Sequence, residues 1–476
     1  MSIKSSINVT RRDFLKTAAV CVSALPLACD TARLPVASEN APTRTRLPRG
    51  YLIVQGVATY NVSRFGAIST TAEAEELFSQ IEGRLDAVEY ESLFFGDHDM
   101  RAHEAIARVA AAHRVDLWTS TFRLLGRIRA FGPIRPEFQA HVMESDGRIV
   151  PAEFGEEGQK PQPLFDVLNP EAVDWFLGEY RRKYFDRMKG LLTGVFFNED
   201  CLPYLAQWKN DRRYDYWRNA TFSPRVLALW REYCRERDVT HDGRPVQKFP
   251  VHNPAMVLNG DDRTAFYPGW NVPEVIQPDQ RFTELPRAEG VWRHWYDFTC
   301  GLFLKNWIGR MAGAANDVNR AEPCWKGVMY FGLHQWSLPY EEVHDPQFTV
   351  PKAHRWGAWG RQRGVDLEKL AAHPDMDIII CETYPPIAAN LEGFVAEYAR
   401  ITRAAGKTFG VMLHRDDNWA LKDDEEPRRW ALIEKYQPTV IARYPLGHML
   451  PGDKLYSAEG EKLFAQGLEH YRKQGA

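Results

Sequence analysis

The amino-acid sequence predicts an α/β fold, a (β/α)8 TIM barrel with long βα-loop insertions. Eight short apolar segments recur along the chain, and most are followed by an amphipathic helical pattern, the signature of βαβ units and a parallel sheet. Two of these segments run straight from apolar residues into acid: Leu191-Leu192-Thr193-Gly194-Val195-Phe196-Phe197-Asn198-Glu199-Asp200 and Met376-Asp377-Ile378-Ile379-Ile380-Cys381-Glu382. A buried parallel strand that ends in a carboxylate delivers it to the edge where such folds do their chemistry. No Gly-x-Gly-x-x-Gly turn follows the first strand, which counts against a doubly wound dinucleotide-binding sheet.

The strand candidates are residues 51–60, 87–95, 115–122, 192–198, 327–333, 377–382, 408–413 and 439–444. Helical patterns cover residues 71–84, 101–113, 170–188, 224–237, 291–318, 367–372, 391–405 and 427–436, and a last helix covers 458–473. The spacing is uneven. Long connections at about residues 123–170 and 200–326 exceed ordinary βα loops and are expected to build a pocket above the carboxyl-terminal face.

The barrel is expected over residues 49–476, after a flexible linker at 30–48 rich in Ala, Pro, Thr and Arg. Residues 1–29 read as a targeting segment. Thr10-Arg11-Arg12-Asp13-Phe14-Leu15-Lys16 precedes an apolar run from Thr17 to Ala28 that is too short to span a bilayer as a stable helix. It resembles the twin-arginine export signal, which implies a twin-arginine translocase as partner during export and a periplasmic or envelope location. Leu25-Pro26-Leu27-Ala28-Cys29 resembles a lipoprotein cleavage box, with Pro26 where Leu or Val is usual; it implies lipid anchoring through Cys29 or ordinary cleavage nearby.

Of 476 residues, 44% are hydrophobic and the net charge is −3. With no basic field to hold it, nucleic acid is not an expected partner. The 15 Trp, 19 Tyr and 25 Phe supply a large core first and stacking platforms for sugar rings second. Seven cysteines occur, two of them in the targeting segment; the remaining five are widely spaced and form neither a disulfide framework nor a CxxC site. No HExxH and no Gly-x-Ser-x-Gly occurs.

The candidate chemistry is therefore carboxylate chemistry. A glycosidase needs one carboxylic acid to protonate the leaving oxygen and a second carboxylate as nucleophile or base across the sugar. Glu199 and Glu382 are the candidate pair. Polar groups after other strands would complete a sugar site: Asp97, His98 and Asp99, Arg123, His334 and Trp336, His414, Asp416 and Trp419, and Arg443 with Tyr444. No cofactor is expected, and the expected partner is an oligo- or polysaccharide.

Asn198-Glu199 at the end of the fourth predicted strand resembles the retaining (β/α)8 glycosidases of clan A. The resemblance implies Glu199 as general acid/base and Asn198 as a sugar-binding neighbour. Two further features are similar to glycoside hydrolase family 42: the helix bearing Trp292, Trp295, Asp297, Phe298 and Phe303, and the acidic-x-Tyr-Pro run Glu382-Thr383-Tyr384-Pro385, which places Tyr384 at the site. Clan A carries its nucleophile on the seventh strand, whereas Glu382 ends the sixth in this count; either a further strand lies within residues 200–326, or the second carboxylate is Asp416, or Glu382 in a different arrangement. The rival readings are a non-catalytic carbohydrate-binding barrel and a metal-dependent barrel hydrolase built on Asp97, His98, His334, His414 and Asp416.

Overall fold

The computed structural model describes residues 46–57, 70–91, 97–121, 128–143, 149–154, 162–197, 222–241, 244–246, 290–333, 365–383, 391–414, 426–444, 446–452 and 456–474. The chain divides into two units, Met1–Thr43 and Arg44–Ala476, and all described residues belong to the second. The targeting segment and Cys29 lie outside them.

Eight parallel strands close into a barrel. They are β1 (Tyr51–Val57), β2 (Ala87–Glu91), β3 (Asp116–Ser120), β4 (Gly194–Phe197), β5 (Gly327–Leu333), β6 (Ile378–Thr383), β7 (Thr408–His414) and β8 (Val440–Tyr444). Each pairs with its sequence neighbours, and β1 closes the ring on β8. All eight predicted segments are strands of this ring, and β4 pairs directly with β5, so Glu382 stands on the sixth strand.

The helices are α1 (Thr71–Ile81), α2 (Asp97–Ala112), α3 (Pro170–Tyr180), α4 (Pro224–Glu236), α5 (Gly290–Leu302), α6 (Leu367–Ala372), α7 (Leu391–Ala404), α8 (Glu426–Tyr436) and α9 (Ala458–Lys473). Their starts are written locally. Thr70 and Glu73 form a reciprocal capping box on α1. Asn169 and Ser223 cap α3 and α4, each with proline as the next residue. α5 runs on through a π-helical turn, Phe303–Ile308, into Gly309–Asn319.

Register sorts the strand residues into two sets. Tyr51, Ile53, Ala87, Trp118, Phe196, Met329, Phe331, Ile378, Ile380, Met412, Val440 and Ala442 form one buried cluster inside the ring. Their neighbours Leu52, Val54, Val88, Tyr90, Val195, Phe197, Val328, Ile379, Cys381 and Ile441 pack in the larger cluster beneath the helices. Gly194 is required by this packing: a Cβ there would lie 2.3 Å from the Trp118 ring and 2.5 Å from the Gly327 carbonyl oxygen.

The two long insertions are tied to each other. Asp166, which just precedes α3, is fully buried. It accepts a hydrogen bond from the Ser223 hydroxyl at 2.5 Å and one from the Leu168 amide at 3.1 Å. Phe222 donates its amide to the His141 carbonyl at 3.1 Å, and Asn306 of the π-helical turn donates to the Leu168 carbonyl at 2.8 Å. Burial pushes the Asp166 carboxyl up to about 7, with the Ser223 hydroxyl and the backbone amides opposing the rise. An unfolded aspartate titrates near 3.9. The folded state thus holds a proton over the interval between, and stability that is full below about pH 4 is lost as pH rises through about 7.

Two predictions follow from this packing. The melting temperature declines from about pH 5 to pH 8, and the decline is shallower in Asp166→Asn, by a difference worth a few kcal/mol; thermal melts across that range measure it. Gly194→Ala drives a methyl into Trp118 and lowers stability by about 3 kcal/mol, read from denaturant unfolding.

Candidate functional site

The amino-terminal end of the barrel is plugged. The Tyr51 hydroxyl donates to Asp116 Oδ2 at 2.5 Å and accepts from Trp118 Nε1 at 3.1 Å. Lys326 pairs with Asp116 and sits 5.0 Å from the centre of the Tyr51 ring. Burial, and then the Asp116 charge, push the Tyr51 phenol well above its ordinary range. Any cleft reaching the barrel interior must therefore open at the carboxyl-terminal end, the end used by barrel enzymes.

The register identifies what faces that end. Traced round the ring, the hydrogen-bonded partners return to β1 displaced by roughly eight residues, the shear of a TIM barrel. At equal height each strand is thus advanced one residue over the last. This places Ile53, Trp118, Met329 and Gly410 at one level. The next level up carries Glu89, Phe196, Ile380 and Ala442. Above that come Gln55, Ser120, Phe331 and Met412, and Glu91, Glu382 and Tyr444 share the level at the mouth. Phe196 and Phe331 floor the mouth, with ring centroids 3.9 Å apart.

Glu382 has the inward parity of Ile378 and Ile380 and is only 5% exposed. In register it faces Leu333 of β5 and Met412 of β7. A carboxylate at the carboxyl-terminal end of a barrel strand, held on the inner face and largely shielded from water, is equipped for acid, base or nucleophilic work. Glu89 is a second inward carboxylate, 4% exposed and deeper in the barrel. It was absent from the sequence-derived candidates. The signal was available as Ala87-Val88-Glu89-Tyr90-Glu91, in which the acids share one face of a strand whose other face is apolar.

Other expected residues are placed as follows. Asp97 and His98 are the first residues of α2. His414 is the last residue of β7, in register with Tyr444. Tyr444 shares the inner face and packs partly buried against the inner cluster. Arg443 departs from expectation. It has the opposite parity, its guanidinium pairs with Glu461 of α9 at 2.7 Å and covers the Phe464 ring at 3.9 Å, and it belongs to the helix layer rather than the pocket. Asn198, Glu199, Arg123, His334, Trp336, Tyr384, Asp416 and Trp419 lie outside the described residues.

The aromatic helix α5 is core. Trp295 and Phe298 are each 5% exposed and pack on Trp230 of α4, while Phe303 is fully buried. These side chains present no stacking platform to a sugar. Among the described residues, Cys234 and Cys381 are poor nucleophiles: burial pushes Cys234 up to about 12, and burial followed by the Glu382 charge pushes Cys381 well above its ordinary range. Among the described residues no group of three or more metal-ligating side chains converges, and no helix is long and apolar enough to cross a membrane.

Fold and site together define a closed (β/α)8 barrel with inward carboxylates at its carboxyl-terminal half. No protein-family model matches the chain, and no curated protein matches it. Solved structures similar to it include an endo-1,4-beta-mannanase from Rhizomucor miehei, 11% identical with a TM-score of 0.45 over 90% of this chain and 99% of that one. A putative alpha-L-fucosidase from Bacteroides thetaiotaomicron is 7% identical, with a TM-score of 0.42 over 94% of this chain and 99% of that one. An HpcH/HpaI aldolase from Desulfitobacterium hafniense is 8% identical, with a TM-score of 0.30 over 89% and 92%. Likeness of this degree assigns no residue a role.

Arg443→Ala leaves Glu461 with Arg84, at 3.1 Å, as its remaining partner and uncovers the Phe464 ring, at a cost of about 1 kcal/mol. Denaturant unfolding measures that loss.

Proposed function

We propose that this chain is an exported glycoside hydrolase that cleaves a glycosidic bond with two glutamates at the mouth of the barrel. The observation that carries the reading is Glu382, a shielded carboxylate on the inner face of β6 at the barrel end opposite the plug around Tyr51 and Asp116. Asn198 and Glu199 follow directly in sequence on Phe197, the last residue of β4, as the clan A resemblance requires. In this reading Glu199 is the general acid/base and Glu382 the nucleophile or second carboxylate. The leaving oxygen takes the proton of Glu199 while the bond from the anomeric carbon to that oxygen breaks through an oxocarbenium-like state. With Glu382 as nucleophile, its oxygen bonds the anomeric carbon. Water deprotonated by Glu199 then displaces it, and the configuration is retained.

Asn198, Tyr384, His414, Asp416 and Trp419, together with His334 and Trp336, are proposed to hold sugar hydroxyls or stack on rings. Export by the twin-arginine route, with or without lipid attachment at Cys29, is part of the same reading and is supported by the motif alone.

Glu199→Gln and Glu382→Gln should each lower turnover of an aryl glycoside by at least a thousandfold, on the order of 4 kcal/mol in the barrier, with melting temperatures near that of the parent. Full activity in either variant removes that residue from the mechanism. Azide should rescue Glu382→Ala with formation of a glycosyl azide if Glu382 is the nucleophile. Saccharide binding by the parent with no turnover across a panel of glycosides would replace hydrolysis by binding alone.

A further inference from the structure

The apolar filling of the barrel is interrupted at one level by an acid. Glu89 shares its level with Phe196, Ile380 and Ala442, and the level of Ile53, Trp118 and Met329 lies beneath it. It is 4% exposed. Placing a carboxyl there in preference to a hydrocarbon side chain is unfavourable for stability unless its partners compensate, so packing alone gives no reason for it. Both Glu89 and Glu382 engage neighbouring groups.

The two strands that carry these acids, β2 and β6, stand diametrically opposite in the ring. Eight strands spaced about 4.8 Å apart and tilted about 36° close a ring roughly 15 Å across. Glu89 is level with Ile380, one inward position below Glu382, which is a drop of about 5 Å. Side chains of roughly 4 Å reaching inward from both walls leave the two carboxyls on the order of 8 Å apart. At that distance, with little water between them, two negative charges repel strongly enough to alter each other's protonation. Among the described residues, the other titratable positions that share this register are Glu91 of β2, His414 of β7 and Tyr444 of β8. Among the described residues β1, β3, β4 and β5 contribute Gln55, Ser120, Phe196 and Phe331 there. Tyr51 and Asp116 lie at the opposite end.

We infer that Glu89 is a positioning residue for the reaction: its buried carboxylate acts across the barrel on Glu382 and sets the pH at which Glu382 loses its proton. Glu89 itself stays below the substrate, in the barrel wall level with Phe196 and one level beneath Phe331. The inference rests on the reading of Glu382 as the reactive carboxyl, but its first test requires no substrate.

The full chain and its E382Q variant are melted across about pH 3 to 9, and the difference between their curves traces the titration of Glu382. The same difference is then taken between E89Q and the E89Q/E382Q double variant. Removing the Glu89 charge should move the Glu382 titration about one unit toward lower pH, while E89D, which keeps the charge, leaves it near the parent position. Coincident difference curves with and without Glu89 overturn the inference. Should E89Q not fold, E89M takes its place in the same comparison, and coincident difference curves again overturn the inference. In turnover of an aryl glycoside, the limb of the pH profile that reports Glu382 should move with the titration in E89Q. A titration that shifts in a protein with no glycosidase activity would instead fault the functional reading and leave the coupling standing.

Discussion

Closing eight parallel strands into one ring fixes a register, and the register assigns each strand residue to one of two environments. Inward residues fill a narrow tube, and outward residues meet the helices. No charged group can change sides without displacing a whole strand by a residue, which would turn its entire apolar face the wrong way. The consequences are visible in two neighbouring cases. On β6, Cys381 enters the layer beneath the helices and Glu382 the barrel mouth. On β8, Arg443 is committed to Glu461 of α9, while Tyr444 shares the inner face. The plug around Tyr51, Asp116 and Lys326 gives the tube its polarity by closing one end.

The filling of that tube depends on unequal side chains at facing positions. Trp118 crosses into the space that a side chain at residue 194 would take, and Ile380 approaches Gly410 closely enough that a Cβ there would lie 2.7 Å away. Large and absent side chains alternate in this way, as close packing of a tapered interior requires. A carboxyl such as Glu89 within that filling stands out because its level is otherwise occupied by Phe196, Ile380 and Ala442.

The eight strands were legible because each is an apolar run that stops at polar or turn-forming residues, and the helices because their apolar faces recur at helical spacing behind capping residues such as Thr70, Asn169 and Ser223. Parity within the runs was not legible. Ile378, Ile379, Ile380 and Cys381 are buried on both faces, so no alternation tells which side the following Glu takes. The same ambiguity made Arg443 resemble a pocket residue. Only the pairing of each strand with its two neighbours resolves it, and pairing is a property of distant segments. The aromatic run of α5 is ambiguous in sequence for a different reason. A Trp that stacks on a sugar and a Trp that packs on Trp230 have the same sequence signature, and burial alone separates them.

The sixth-strand position of Glu382 bears directly on the proposed chemistry. In a ring roughly 15 Å across, strands two places apart are separated by a chord of about 11 Å, and strands three places apart by about 14 Å. Carboxylates from β4 and β6 would thus start about 3 Å closer than the fourth-and-seventh pair of clan A. The separation of about 5 Å that retention requires is then reached with side chains directed toward the axis, and it does not demand that one of them lean across the mouth. A nucleophile on β6 is for this reason compatible with the retaining geometry, although it departs from the strand order of the enzymes the sequence resembles. What such a pair would have in addition is a third acid, Glu89, in the wall facing β6, so that the barrel interior rather than the loops would govern when Glu382 is ionised.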